Sequence, residues 1–228
     1  FVGRSRGVSI LPPRKGWAAS DWYKGTADAV WQSMDFMQPL EPERVLILSG
    51  DHVYNMDYRK MISDHVDKKA DVTIAVMEVD ERDTSRFGMI WTDPDGLITR
   101  FEEKPDKADT RLASMGIYIF EWQCLVDALG ETVGTGKGND FGQHVIPRLL
   151  GERRLMTHRF DGYWRDVGTI SSYFDTNMDV IDPASGLCID DWEVCTNMQH
   201  NHPADRPPAR LGAGARVKEA RLSAGCRV

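Results

Sequence analysis

Two aspartates stand where short buried strands are expected to end, and that placement gives them chemical interest. In Leu46-Ile47-Leu48-Ser49-Gly50-Asp51-His52 an apolar run stops at a glycine, which permits close approach of a ligand to the backbone, and the next residue presents a carboxylate. In Tyr163-Trp164-Arg165-Asp166-Val167-Gly168-Thr169 a second carboxylate follows an aromatic run and precedes a helix. Magnesium takes oxygen ligands, commonly one or two carboxylates with phosphates and waters completing the set, and the two aspartates meet that requirement. Each also has a purely structural reading: Asp51 as the cap of the next helix, Asp166 as the ion-pair partner of Arg165 or a helix-entry residue. A third candidate is Glu102-Glu103-Lys104-Pro105, where the proline predicts an extended exit that orients Glu103 and Lys104. Lys104 suits a sugar phosphate as a point charge and Glu103 suits sugar hydroxyls as an acceptor; an exposed ion pair between these neighbours is the alternative.

The elements that must position these groups follow from apolar spacing. Thr26 is a candidate cap for a helix carrying Ala27, Val30, Trp31 and Met34 on one face. Residues 44–49 predict a strand buried on both faces of a parallel sheet, 58–69 a helix with Met61, Ile62, His65 and Val66 at helical spacing, and 71–79 a further strand, together a right-handed crossover. Segments 87–91 and 97–101 flank Asp93-Pro94-Asp95-Gly96 and predict an antiparallel hairpin. A strand over 112–120, a helix over 121–129, strands over 155–160 and 163–167, and a helix over 170–181 with Tyr173, Phe174 and Met178 inward complete the expectation. Gly134-Thr135-Gly136-Lys137-Gly138 reads as a surface loop, because Gly138-Asn139-Asp140 follows where a phosphate loop needs Gly-Lys-Ser/Thr entering a helix.

Composition excludes several function classes. The 228 residues are 41% hydrophobic, enough for one substantial core and a small second unit, and the net charge of −7 argues against a nucleic-acid or anionic-membrane partner. Four cysteines, far apart, fit neither a zinc site nor a disulfide scaffold and read as reduced. No apolar run approaches the roughly 20 residues of a membrane span, and the first residues lack a signal peptide's apolar segment, so the cytosol is the expected location. His200 and His202 sit in a Pro-containing polar stretch without partner ligands and are assigned no role.

Taken in order, Trp22-Tyr23-Lys24-Gly25-Thr26-Ala27-Asp28-Ala29-Val30, Leu48-Ser49-Gly50-Asp51-His52-Val53-Tyr54, Phe87-Gly88, Glu103-Lys104-Pro105, Ala113-Ser114-Met115-Gly116-Ile117-Tyr118, Asp140-Phe141-Gly142 and Tyr163-Trp164-Arg165-Asp166-Val167-Gly168-Thr169 resemble the bacterial ADP-glucose pyrophosphorylases. The resemblance runs from about Leu11 to the end of the chain. It implies an α/β, Rossmann-like nucleotidyltransferase domain (a nucleotide-diphospho-sugar transferase) with a mixed central sheet over 1–182, a linker over 183–207, and the first turns of a left-handed β-helix over 208–228.

The implied reaction joins ATP and glucose 1-phosphate into ADP-glucose and diphosphate with Mg2+. Asp51 and Asp166 would be its catalytic, metal-holding carboxylates. Tyr23, Gly88, Glu103, Lys104 and Ser114 would bind the sugar phosphate, with Asp140 a further member of the sugar side, and Gly25 and Thr26 would lie by the nucleotide. The resemblance further implies an allosteric homotetramer for the complete protein, packed through its β-helix. It places the family's glycine-rich, ATP-wrapping segment before Phe1, so that the chain is read as truncated at both ends, and it makes the loop between Lys104 and Ser114 shorter than in typical members. The alternatives are a related sugar-nucleotide pyrophosphorylase with another nucleotide and sugar, and a non-catalytic regulatory subunit or paralogue that binds sugar phosphate without turnover.

Overall fold

The computed structural model describes residues 9–13, 22–182, 184–187, 209–218, 222 and 226. In chain order the helices are α1 (Thr26–Gln32), α2 (Met34–Met37), α3 (Tyr58–Asp67), α4 (Trp122–Thr132), α5 (Ile146–Leu149) and α6 (Ile170–Asp179). The strands are β1 (Arg44–Ile47), β2 (His52–Tyr54), β3 (Val72–Glu78), β4 (Gly88–Thr92), β5 (Ile98–Glu103), β6 (Leu112–Glu121), β7 (Leu155–Arg159) and β8 (Trp164–Asp166). The described residues divide into two compact units, one drawn from 10–49 and 56–161, the other from residue 9, 50–55 and 162 onward.

The larger unit is built on a mixed sheet in the order β5-β4-β6-β3-β7, with β1 also paired to β6. β3 and β7 run parallel, while β6 is antiparallel to β1, β3 and β4. β3 reads Val72, Thr73, Ile74, Ala75, Val76, all buried, as a strand covered on both faces must. Around it pack Phe101, Phe120, Leu125, Leu129, Phe141, Val145 and Ile146. β6 changes partner along its length: Ala113 faces Met89 of β4, whereas Tyr118 to Glu121 face β1. Gly116, at φ +66°, makes the turn in direction, and the register with β3 slips between Ile74 and Val76 at the same level. Only glycine adopts that backbone inside a strand without strain, so the bend is written into Ser114-Met115-Gly116.

Two expectations change here. Segment 44–49 forms β1, but it is antiparallel to β6 and half-buried throughout, because among the described residues no second strand covers its other edge. β1 and β3 are parallel to each other with β6 between them, so the crossover spans a strand. The hairpin is as expected: Asp93 Oδ1 accepts from the Asp95 and Leu97 amides, and Gly96 sits at φ +84°.

α3 is capped by Asp57, whose carboxylate accepts the Arg59 amide, and buries Met61 and His65, while Ile62 and Val66 stay exposed. His65 is fully buried between the Thr73 hydroxyl (2.8 Å) and the Glu121 carboxylate (3.1 Å). Burial pushes its pKa below the usual value, outweighing the opposing pull of Glu121. The unfolded chain therefore takes up a proton near pH 6.5 that the folded chain refuses, and stability falls as pH drops through that value. The melting temperature of the wild type should fall more steeply between pH 7.5 and 5.5 than that of His65→Gln; equal slopes would contradict this.

In the smaller unit β2 and β8 form a two-stranded antiparallel ladder followed by α6. Thr169 and Ser172 close a reciprocal capping box at the start of α6. The expectation for this helix is corrected in part: Tyr173 and Phe174 are exposed, Met178 is half-buried, and Ser172 and Thr176 face inward. The packed side is polar because Asp179 receives the Tyr163 hydroxyl and the Arg165 guanidinium, both at 2.7 Å.

The expected linker, apart from residues 184–187, lies outside the described residues, as do His200 and His202. In the tail the described residues include one long-range backbone hydrogen bond, from the Arg210 amide to the Cys226 carbonyl at 2.8 Å, and no strand.

Candidate functional site

Glu103 ends β5 directly opposite Gly88 at the start of β4. Its carboxylate lies where side chains have been omitted on two sides. A Cβ at Gly88 would stand 2.8 Å from Glu103 Oε2, and one at Gly142 would stand 2.4 Å from the same oxygen. Burial raises the Glu103 pKa, with Lys104 opposing and Asp140 adding to the rise. This is a shielded acceptor in a slot that any methyl group would fill.

Next to it Lys104 adopts φ +48°, with its amide donating to the Phe87 carbonyl at 3.1 Å. The expected extended exit before Pro105 is thus replaced by a left-handed residue, which for a non-glycine costs on the order of 1 kcal/mol. The chain turns out of the hairpin there and leaves the Lys104 ammonium exposed. Among the described residues Glu103 and Lys104 form no ion pair, and Lys104 acts on the Glu103 carboxyl only at longer range.

Ser114, buried on β6 just before the Gly116 bend, accepts the Gly116 amide at 3.2 Å. The pKa of the nearby Tyr118 hydroxyl is pushed up to about 12, chiefly by burial, with Ser114 opposing the rise. Tyr118 packs against Phe141 at a ring separation of 5.5 Å. Phe141 opens a turn of π-helix (Phe141–Val145) leading into α5, and Asp140 caps it by accepting the Gln143 amide at 2.9 Å. Gly88, Glu103, Ser114, Tyr118, Asp140 and Gly142 thus line one cradle, with Lys104 beside Glu103.

The start of α1 borders this cradle. Gly25 presses on Asn139, whose carbonyl oxygen would lie 2.3 Å from a Cβ at Gly25, and the same carbonyl accepts the Ala27 and Asp28 amides at 3.0 and 3.2 Å. Thr26 is not the cap expected of it. It is the first helical residue, and its hydroxyl donates to Asp140 Oδ2 at 3.0 Å. Asp28 instead reaches back to the Lys24 amide at 2.8 Å. The Tyr23 hydroxyl donates to the Leu11 carbonyl at 2.8 Å.

In the smaller unit the two aspartates come together. Asp166 pairs with His52 in the ladder, and the Asp51 carbonyl accepts the Val167 amide at 3.0 Å, which extends the ladder by one step. A Cβ at Gly168 would lie 3.0 Å from Asp166 Oδ1 and 3.9 Å from Asp51 Oδ2, so both carboxylates border the bare Cα of this glycine. Other residues take the capping and ion-pair roles open to these two. Asp57 caps α3, Thr169 caps α6, and Arg165 pairs with Asp179. Asp166 Oδ1 accepts the Gly168 amide at 2.8 Å, and the Asp51 side chain is 61% exposed. Two adjacent carboxylates on a ladder end are a donor set that fits magnesium, which completes its octahedron with water and phosphate oxygens.

Tyr118 and Gly142 stand in the family motifs, but the sequence assigns neither a place in the site. Tyr118 carries a signal in retrospect, lying four residues beyond Ser114 across the Gly116 bend, whereas the need for a glycine at 142 shows only once Glu103 is placed against it.

Residues 11–182 match the family described as Nucleotidyl transferase. The chain is also similar to the glucose-1-phosphate adenylyltransferases of Thermotoga maritima (46% identical; 97% of this chain, 52% of the relative), Desulfitobacterium hafniense strain Y51 (44%; 97% and 56%) and Clostridium acetobutylicum (44%; 97% and 58%). It spans about half the length of these relatives. With the mixed sheet, the glycine-bracketed acid and the match over 11–182, this chain belongs to the nucleotidyl transferase family.

Proposed function

We propose that the complete protein is a glucose-1-phosphate adenylyltransferase, converting ATP and α-D-glucose 1-phosphate into ADP-glucose and diphosphate for glycogen or starch synthesis in the cytosol. The observation that carries this reading is the cradle around Glu103, in which a shielded carboxylate, the hydroxyls of Ser114 and Tyr118, and the Asp140 carboxylate stand together with an exposed lysine beside them. Hydroxyl-accepting carboxylates next to a cation are what a phosphorylated sugar requires.

In this mechanism a phosphate oxygen of glucose 1-phosphate forms a bond to the α-phosphorus of ATP, and the bond from that phosphorus to the bridging oxygen of diphosphate breaks. The nucleophile is already ionised, so no protein base removes a proton. Lys104 offsets the charge of the sugar phosphate and Glu103 orients the hexose, so that their contribution is positioning and charge compensation. Asp51 and Asp166 would hold Mg2+, which when bound neutralises phosphate charge. Gly25 and Thr26 lie toward the nucleotide, and Tyr23 toward the sugar phosphate. The domain reading places the catalytic unit at 1–182, a linker at 183–207 and the beginning of a left-handed β-helix at 208–228, through which subunits of an allosteric homotetramer pack.

Diphosphate release by the full-length protein, assayed with glucose 1-phosphate and a panel of ATP, GTP, UTP and dTTP, tests the reading; release with another nucleotide and not ATP would overturn it. Lys104→Ala should raise KM for glucose 1-phosphate by about tenfold or more with kcat little changed, since a point charge on a phosphate contributes mainly uniform binding. An unchanged KM would remove Lys104 from this role.

A further inference from the structure

The Thr26 hydroxyl makes two hydrogen bonds at once. It donates to Asp140 Oδ2 at 3.0 Å and accepts the Phe141 amide at 3.1 Å. The other Asp140 oxygen accepts the Gln143 amide at 2.9 Å, so both carboxylate oxygens have a partner and the rotation of the group is set. The neighbouring backbone is joined in the same place: the Asn139 carbonyl takes the Ala27 and Asp28 amides, and Gly25 has no side chain because Asn139 occupies the space. Segment 25–28 and segment 139–141 are thereby fastened over a separation of more than a hundred residues. Removing the hydroxyl frees one carboxylate oxygen of Asp140 and the Phe141 amide together. Asp140 acts on the Glu103 carboxyl through space, and Phe141 packs on Tyr118, so the disturbance reaches both walls of the cradle.

We propose that Thr26 is a positioning residue for the sugar side of the site: its hydroxyl sets the Asp140 carboxylate and the Phe141 backbone, and so tunes affinity for the sugar phosphate from a segment that borders the nucleotide. This rests on the cradle being the sugar-phosphate site. A threonine that served only the nucleotide would leave the sugar phosphate indifferent to its hydroxyl. One that served only helix α1 would change stability and neither substrate.

The test compares Thr26→Val, which keeps the shape and loses the hydroxyl, with Thr26→Ser, which keeps the hydroxyl, in the full-length protein. Thr26→Val should raise KM for glucose 1-phosphate about tenfold, the scale of one hydrogen bond to a charged group, with KM for ATP within about twofold. Thr26→Ser should restore the wild-type value. A second readout needs no turnover: amide exchange at Phe141 and Gln143 in the ligand-free protein should quicken in Thr26→Val and return to the wild-type rate in Thr26→Ser. If Thr26→Val is poorly folded, Thr26→Ala against Thr26→Ser gives the same comparison.

A larger rise in KM for ATP than for glucose 1-phosphate, or a serine variant as impaired as the valine one, would overturn the proposal. So would unchanged exchange at both amides. If the wild type neither turns over nor binds glucose 1-phosphate, the adenylyltransferase reading fails and this proposal fails with it. Altered exchange in Thr26→Val would then still establish the clasp as a structural fastening.

Discussion

Asp51→Asn in the full-length protein should lower diphosphate release by about a thousandfold, a loss of about 4 kcal/mol in transition-state stabilisation, while leaving the melting temperature nearly unchanged. The size of the effect comes from charge. Asparagine keeps the shape and one carbonyl oxygen but no longer supplies an anion, and the two phosphorylated substrates depend on a divalent cation to approach each other. The survival of the fold follows from where the residue sits: its side chain is 61% exposed and meets His52 Nε2 at a long 3.6 Å, and the backbone carbonyl that accepts the Val167 amide is preserved by the substitution. Asp166→Asn should behave alike, with some added loss of local order because Asp166 Oδ1 also accepts the Gly168 amide. Turnover within about tenfold of wild type in Asp51→Asn would remove both aspartates from a metal-holding role.

Gly142→Ala should abolish most affinity for the sugar phosphate without destabilising the protein. The added Cβ would fall 2.4 Å from Glu103 Oε2 and 2.9 Å from its Cδ, far inside van der Waals contact. The atoms it meets are the far end of a flexible side chain, so the carboxylate swings away at little cost to the core. Gly142 lies in a helical turn at an ordinary backbone angle, where alanine is favoured over glycine by roughly 0.5–1 kcal/mol. Stability should therefore stay level or rise. Function should fall, because the hydroxyl contacts assigned to Glu103 are hydrogen bonds to a charged group and each loss corresponds to roughly 10- to 100-fold in affinity. Calorimetric titration with glucose 1-phosphate, beside a thermal melt, reads both effects. Unaltered binding would show that the Glu103 carboxylate does not touch the sugar.

Much of the local structure is legible in the residues themselves. Asp93-Pro94-Asp95-Gly96 specifies its turn because an Asx side chain accepts from the amides ahead of it and glycine alone is at ease at φ +84°. Asp166 ends β8 as expected, whereas Asp51 lies immediately before β2, a three-residue strand that the apolar spacing does not mark. What misled was any inference that depended on which neighbour a strand meets. The apolar run at 44–49 carries no mark that distinguishes a central parallel strand from an antiparallel edge, and β1 is the latter. The spacing in α6 places Tyr173 and Phe174 on an apolar stripe, yet that stripe stays exposed because the helix packs through Asp179 onto polar partners.

The sequence by itself thus determined the turn at 93–96 and the family motifs, whereas Asp51 and Asp166 meet only because β2 pairs with β8. Only the tertiary structure decided that Gly88 and Gly142 bracket Glu103, that Tyr118 packs on Phe141, and that Thr26 fastens Asp140. Those pairings link segments far apart in the chain. Their geometry is set by sheet register and core packing, which no local pattern of residue types encodes.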